Sequence, residues 1–161
     1  MSAQGYNRIR KVQVTPVIEA AAFADGDVLH SGVIQLANIL QKEKHSGEVV
    51  SAVVVDLAKQ SVALSLELFS RSVTGGTINN ALDLDDSDAL YHLGSIPIAA
   101  ADYKPFADNS IATVRNVGLA VMSDVAGNEP SRDLYMIVVS RGAPTYVSVG
   151  DIIVTLFVRQ D

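Results

Sequence analysis

Residues 62–68 read Val62-Ala63-Leu64-Ser65-Leu66-Glu67-Leu68. Val62, Leu64, Leu66 and Leu68 recur at every second position, which puts them on one face of an extended strand. The same period runs through Leu134, Met136 and Val138, where Tyr135, Ile137 and Val139 make the opposite face apolar as well. Ile152, Val154, Leu156 and Val158 repeat it with Thr155 and Arg159 opposite, and Val117, Leu119 and Val121 share a face in a further candidate. Near the start, Val12 and Val14 alternate with Lys11, Gln13 and Thr15, the pattern of a half-buried strand with a charged outer side. Residues 49–57 are nearly continuous and β-branched, which predicts a central strand covered on both faces.

Turn chemistry separates these runs. Asp25-Gly26-Asp27, Ser46-Gly47-Glu48, Thr74-Gly75-Gly76, Ala126-Gly127-Asn128-Glu129-Pro130 and Arg141-Gly142-Ala143-Pro144 fall between strand candidates. About eight or nine short strands with such punctuation predict an all-β, antiparallel β-sandwich or barrel, and the sandwich is favoured. Two segments stand apart. Leu29, Val33, Leu36 and Leu40 have helical spacing, yet Gly32 lies among them, so a long bent strand over 27–41 is preferred to a helix. Residues 86–94 read as a short inserted helix: Asp86 or Ser87 can accept first-turn amides, Asp88 suits the positive helix end, and Gly94 can close it.

Composition sets the limits. At 161 residues and 17.1 kDa the chain fits a single domain, expected as a β-sandwich over 12–161 with an N-terminal arm and strand start over 1–11. A chain of this mass buries roughly two-thirds of its unfolded surface and can support a core unaided. The absence of Cys excludes a zinc ribbon, a thiol enzyme and a disulfide scaffold. Lys+Arg of 12 against Asp+Glu of 18 has the wrong sign for an electrostatic grip on nucleic acid. No apolar stretch suits a signal-peptide core or the ~20 residues of a membrane span, so a chain without membrane association, folding in a cytoplasm, is expected.

Catalytic and metal-binding patterns are sparse. Asp83, Asp85, Asp86 and Asp88 form a dense acidic run, but the sixth and twelfth positions counted from Asp83 hold Asp88 and Gly94, so the EF-hand pattern fails. A solvated helix start explains the run, and no metal site is assigned. His30, His45 and His92 are scattered, and Asp88 four residues before His92 suits a surface ion pair. There is no G-x-S-x-G elbow and no phosphate-binding glycine loop, so no catalytic residue or cofactor is assigned and a non-enzymatic role is expected. The basic cluster Arg8, Arg10 and Lys11 stands out on an acidic chain. Alternation puts Arg8 and Arg10 on one face and Lys11 on the other; the cluster reads equally as a charge-protected edge strand or as a contact for an acidic partner. The two-faced apolar strands, finally, exceed what one sandwich usually covers, which points either to a subunit interface or to a well-covered core.

The order of several signatures resembles a known group. These are Val12-Gln13-Val14-Thr15-Pro16-Val17-Ile18 with Ala24-Asp25-Gly26-Asp27-Val28-Leu29, then Val55-Asp56-Leu57 with 64–69. The close adds Val138-Val139-Ser140-Arg141-Gly142-Ala143-Pro144-Thr145-Tyr146, Gly150-Asp151-Ile152 and Arg159-Gln160-Asp161. Over nearly the whole chain this resembles small virion structural proteins of tailed bacteriophages, especially capsid decoration (cement) proteins of jelly-roll or β-sandwich type. The resemblance implies a jelly-roll-like sandwich on the capsid exterior of a virion assembled in the bacterial host cytoplasm. It implies a homo-oligomer, with a trimer favoured, that bridges major capsid protein subunits, with no nucleic acid or membrane partner. Arg8, Arg10 and Lys11 are then the candidate shell contacts. The alternatives are a tail or baseplate sandwich protein, or a carbohydrate-binding sandwich for host adsorption; Tyr91, Tyr103, Phe106 and Tyr146 could serve the latter, although Trp is absent.

Overall fold

The computed structural model describes residues 8–42, 45–126 and 129–161. Eleven strands follow in order: β1 (Arg8–Val14), β2 (Ile34–Leu36), β3 (Ser46–Asp56), β4 (Leu64–Phe69), β5 (His92–Ile98), β6 (Tyr103–Pro105), β7 (Ser110–Met122), β8 (Val125–Ala126), β9 (Glu129–Pro130), β10 (Leu134–Ser140) and β11 (Ile152–Gln160). A single helical turn, α1 (Asp86–Ala89), lies between β4 and β5. One sheet has the order β1-β11-β3-β7-β6 and the other β2-β10-β4-β5, with every pairing antiparallel. Leaving aside the short β6, β8 and β9, the first of the eight main strands pairs with the last, the second with the seventh, the third with the sixth and the fourth with the fifth. That nesting is the jelly roll, an all-β antiparallel sandwich.

The alternating residues meet between the sheets. Leu64, Leu66 and Leu68 of β4, Leu134, Met136 and Val138 of β10, and Ile152, Val154, Leu156 and Val158 of β11 are all buried in one core. Residues 49–57 were expected to be covered on both faces. β3 does lie in the middle of its sheet, but Val49, Ala52 and Val54 are buried while Val53 and Val55 are only half-buried. The run is continuous because the register shifts between Val49 and Ser51, and the bulge resets which residues face inward. Opposite it, β7 changes phase through Asn116 and Gly118, both with positive φ.

The outer face of the second sheet is also covered. Phe69, Ile137 and Val139 are buried there with Val28 and Val73, and Leu82, Leu84 and Tyr91 pack against them. Strands β4 and β10 are therefore two-faced because residues 70–91 fold back over them, which settles the apolar surplus as intramolecular cover. Gly75 helps shape this flap: its φ is +107°, and a Cβ would collide with the Asp83 carbonyl.

Three sequence expectations are corrected. Residues 27–41 are neither a helix nor one long strand: only Ile34–Leu36 joins a ladder, and Gly32 and Asn38 break the chain with φ of +69° and +54°. The helix expected over 86–94 stops at Ala89, its N-cap is Asp85 with no side-chain cap, and residues from His92 onward are strand β5. Pro97 is tolerated because β5 is an edge strand, and Gly94 suits its φ of +154°, where a Cβ would also press the Leu119 side chain of β7 at 2.7 Å. Ser46-Gly47-Glu48, expected as a turn, is the beginning of β3. Of the segment expected as an arm and strand start over 1–11, residues 8–11 belong to β1 and residues 1–7 lie outside the described residues, as do Gly127 and Asn128 of the expected 126–130 turn.

Candidate functional site

Strand β1 forms one edge of the five-stranded sheet, in register with β11 from Arg8↔Gln160 to Val14↔Val154. Val12 and Val14 pack against the core, so alternation places Arg8 and Arg10 on the same inward-looking face. There the core has ended, and the two arginines open into a groove of about 340 Å³ shared with Gln41, Lys42, Arg132 and Gln160. Its wall is fixed by backbone and amide bonds. Arg132 Nε donates to the Leu40 carbonyl at 3.2 Å, Leu40 N donates to the Arg132 carbonyl at 3.0 Å, and Gln160 Nε2 donates to the Ile39 carbonyl at 2.8 Å. Four cationic side chains thus line one groove, and none of the four is ion-paired with a carboxylate of the described residues. The nearby C-terminal Asp161 turns toward β3, where Ser46 Oγ donates to its carboxylate at 2.5 Å. Lys11 lies outside the groove, on the other face of β1. Lys42 and Arg132 escaped the sequence reading because only the fold brings them to Arg8; no local pattern marks either.

The opposite end of the sandwich has a different chemistry. Val17, Leu57, Phe106, Val147 and Val149 are all exposed on the loops there. These loops are tied to one another: Ile18 N donates to the Val149 carbonyl at 3.1 Å, Leu57 N to the Asp151 carbonyl at 2.8 Å, and Lys59 Nζ to the Ala107 carbonyl at 3.5 Å. Two buried carboxylates set their shape. Asp56 accepts from Ala58 N at 3.0 Å and Ser61 N at 2.8 Å, and Asp151 accepts from Val147 N and Ser148 N, both at 2.9 Å. Burial pushes the Asp56 carboxyl above its ordinary range, against the pull of the amides it accepts from. Tyr103 and Tyr146 are buried, with hydroxyls that lack hydrogen-bond partners; burial first, then the Asp56 charge, pushes both phenols up.

A third cluster is centred on Glu67, which is 6% exposed on the outer face of β4. Its carboxylate accepts from Ser65 Oγ at 2.5 Å, from His92 Nε2 at 2.7 Å and from Ser95 Oγ, with Arg141 Nη2 at 3.7 Å. Burial pushes this carboxyl up, but the three hydrogen bonds outweigh it and hold Glu67 below the usual carboxylate range. Both serine hydroxyls are bonded to the carboxylate rather than to the imidazole, so the cluster holds no serine–histidine nucleophile pair. His92 was expected to pair with Asp88; it pairs with Glu67 across the sheet, while Asp88 accepts from Thr74 N and Thr74 Oγ1, each at 2.9 Å.

The other two histidines contact backbone groups. His30 is buried and its Nε2 accepts from Val138 N at 2.9 Å; burial pulls its imidazole down to about 4. His45 Nδ1 lies 3.2 Å from the Ser131 carbonyl. Among the described residues no group of three or more His, Asp or Glu side chains is placed to hold a metal ion, and no helix is long and apolar enough to cross a membrane.

No family model matches the chain. No curated protein matches it. Among solved structures, a chain from the structure of the infectious bursal disease virus Gx strain aligns with 99% of this chain at 13% identity and a TM-score of 0.19. This chain spans 41% of that chain's length, and a likeness at this TM-score carries no argument.

Proposed function

We propose that the chain is a non-enzymatic virion structural protein of a tailed bacteriophage, which decorates the capsid exterior and stabilises it by bridging major capsid protein subunits. The observation that carries this reading is the polarity of the sandwich. A basic groove lies at one end and an apolar loop cluster at the other, separated by the length of β11, roughly 27 Å at 3.4 Å per residue. A protein that braces two neighbours needs two separate contact surfaces, whereas an enzyme needs one site with convergent reactive groups. Modest contacts repeated over a shell add up because each copy, once held at one point, meets its second contact at high effective concentration. A homo-oligomer, a trimer at local threefold positions, would multiply those contacts. The resemblance to phage decoration proteins supplies the partner.

The test mixes purified protein with expanded capsid shells that lack it, followed by sedimentation and cryo-electron microscopy. Saturable binding with ordered density between neighbouring capsid subunits is expected. Absence of binding to shells, or density confined to a tail or baseplate, overturns the decoration reading.

A further inference from the structure

The groove at the β1 edge combines two features that are not usually needed together for charge protection alone: a strand edge unpaired among the described residues and four cations lining one groove. We propose that it is a docking site for an extended, acidic polypeptide segment that carries carboxylates at alternate positions. This deepens the function proposed above and rests on it only for the identity of the partner.

Three observations select that occupant. First, among the described residues β1 is hydrogen-bonded to β11 on one side only, so its outer backbone groups can take a further strand. Second, Arg8 and Arg10 are two residues apart on one face, a spacing of roughly 7 Å, and alternate side chains of an added strand repeat at that same distance. Arg132 and Lys42 line the same groove, so carboxylates entering it meet cations from outside β1 as well as from the strand. Third, the chain as a whole is acidic, with a net charge of -6. A long polyanion such as a nucleic acid would feel that repulsion along its length, whereas a short acidic segment senses the local cations. A second copy of this chain is disfavoured at this edge, because pairing β1 with β1 would bring two basic strands together with no carboxylate on either.

The probe is a fluorescein-labelled decapeptide of alternating Glu and Thr, titrated by anisotropy against the full chain at 50 mM and 200 mM salt. Saturable binding that weakens with salt is expected. The double variant Arg8→Glu/Arg10→Glu and the single variant Arg132→Glu should each weaken it at least tenfold, while Arg115→Glu on β7 leaves it within twofold. Arg132→Lys, which keeps the charge, should retain binding, and circular dichroism checks that each variant is folded. The proposal is overturned if the wild type does not bind, if Arg115→Glu weakens binding as much as Arg132→Glu does, or if an oligothymidylate of equal charge binds more tightly. Parallel shell binding separates the two readings. Peptide binding without shell binding removes the capsid partner and keeps the groove; shell binding that survives Arg8→Glu/Arg10→Glu while peptide binding is lost keeps the groove and moves the shell contact elsewhere.

Discussion

Replacing Glu67 should destabilise the protein in a way that depends on pH. The carboxylate accepts three hydrogen bonds, and each bond to a charged acceptor is worth about 1.5–3 kcal/mol when taken alone. These values do not sum, because three of the groups around Glu67 regain water once it is gone. Ser95 is exposed, and the side chains of His92 and Arg141 are 34% and 49% exposed. Only Ser65 is left buried with an orphaned hydroxyl. Glu67→Ala is therefore expected to cost about 2–3 kcal/mol, or a fall in Tm of roughly 5–10 °C for a chain of this size. Glu67→Gln keeps the volume and one acceptor oxygen and should cost about 1–2 kcal/mol at neutral pH. The sign of the pH effect follows from the depressed carboxyl. Its stabilisation is complete above the ordinary glutamate range and is lost as pH falls through the lowered folded-state value. Urea unfolding by circular dichroism at pH 7, 5, 4 and 3 should show the gap between wild type and Glu67→Gln closing toward pH 3. A gap of equal size at pH 7 and pH 3, or a cost below about 0.5 kcal/mol for Glu67→Ala, would refute the network as described.

Three further substitutions probe other parts of the molecule. Ile137→Ala removes a fully buried side chain from the outer face of β10 and should cost about 2–4 kcal/mol in the isolated protein, measured by urea unfolding; a negligible cost would mean that this face waits for a partner. Gly75→Ala combines a positive φ with a clash against backbone and should cost about 2–4 kcal/mol, read as a lower Tm and faster proteolysis within residues 70–91. Asp56→Ala frees the amides of Ala58 and Ser61 and should cost about 2–3 kcal/mol, with increased hydrogen exchange confined first to residues 57–61; unchanged exchange there would contradict its role as a loop anchor.

The sheets were legible where alternation ran unbroken, and they were lost where it changed phase. β4, β10 and β11 follow strict period two and emerge at their expected positions. The first half of β7 was missed because Asn116 and Gly118 shift the inward face partway along the strand. β5 was missed because Gly94 and Pro97 look like breakers until the strand is known to lie at an edge and to cross Leu119. The candidate site was half legible. Arg8 and Arg10 stand out as a local charge cluster, whereas Arg132 reaches them only through strand order, and no one-dimensional pattern encodes that proximity. The Glu67 hub was hidden for the same reason, since its hydrogen-bond donors come from β4 and β5 and its ion-pair partner Arg141 from the turn after β10.

The cover over the second sheet changes where self-association has to occur. Two-faced strands in a sequence suggest an apolar sheet face awaiting another subunit, but residues 70–91 already bury that face with Val73, Leu82, Leu84 and Tyr91. The β1 edge is unsuited to pairing with itself because of its charge, and the apolar side chains gathered at the loop end are Val17, Leu57, Phe106, Val147 and Val149. Those loops are held by Asp56 and Asp151 through four backbone amides, so their shape exists before any partner arrives and little conformational entropy remains to be lost on docking. Within the proposed function, subunit contacts therefore fall to the loop end and acidic partners to the groove. Charge reversal at Arg8 and Arg10 should then weaken binding to shells without changing the oligomeric state in solution, while Val147→Asp should dissociate the oligomer and weaken shell binding only through the lost multivalency, a separation readable by mass photometry beside the shell-binding assay.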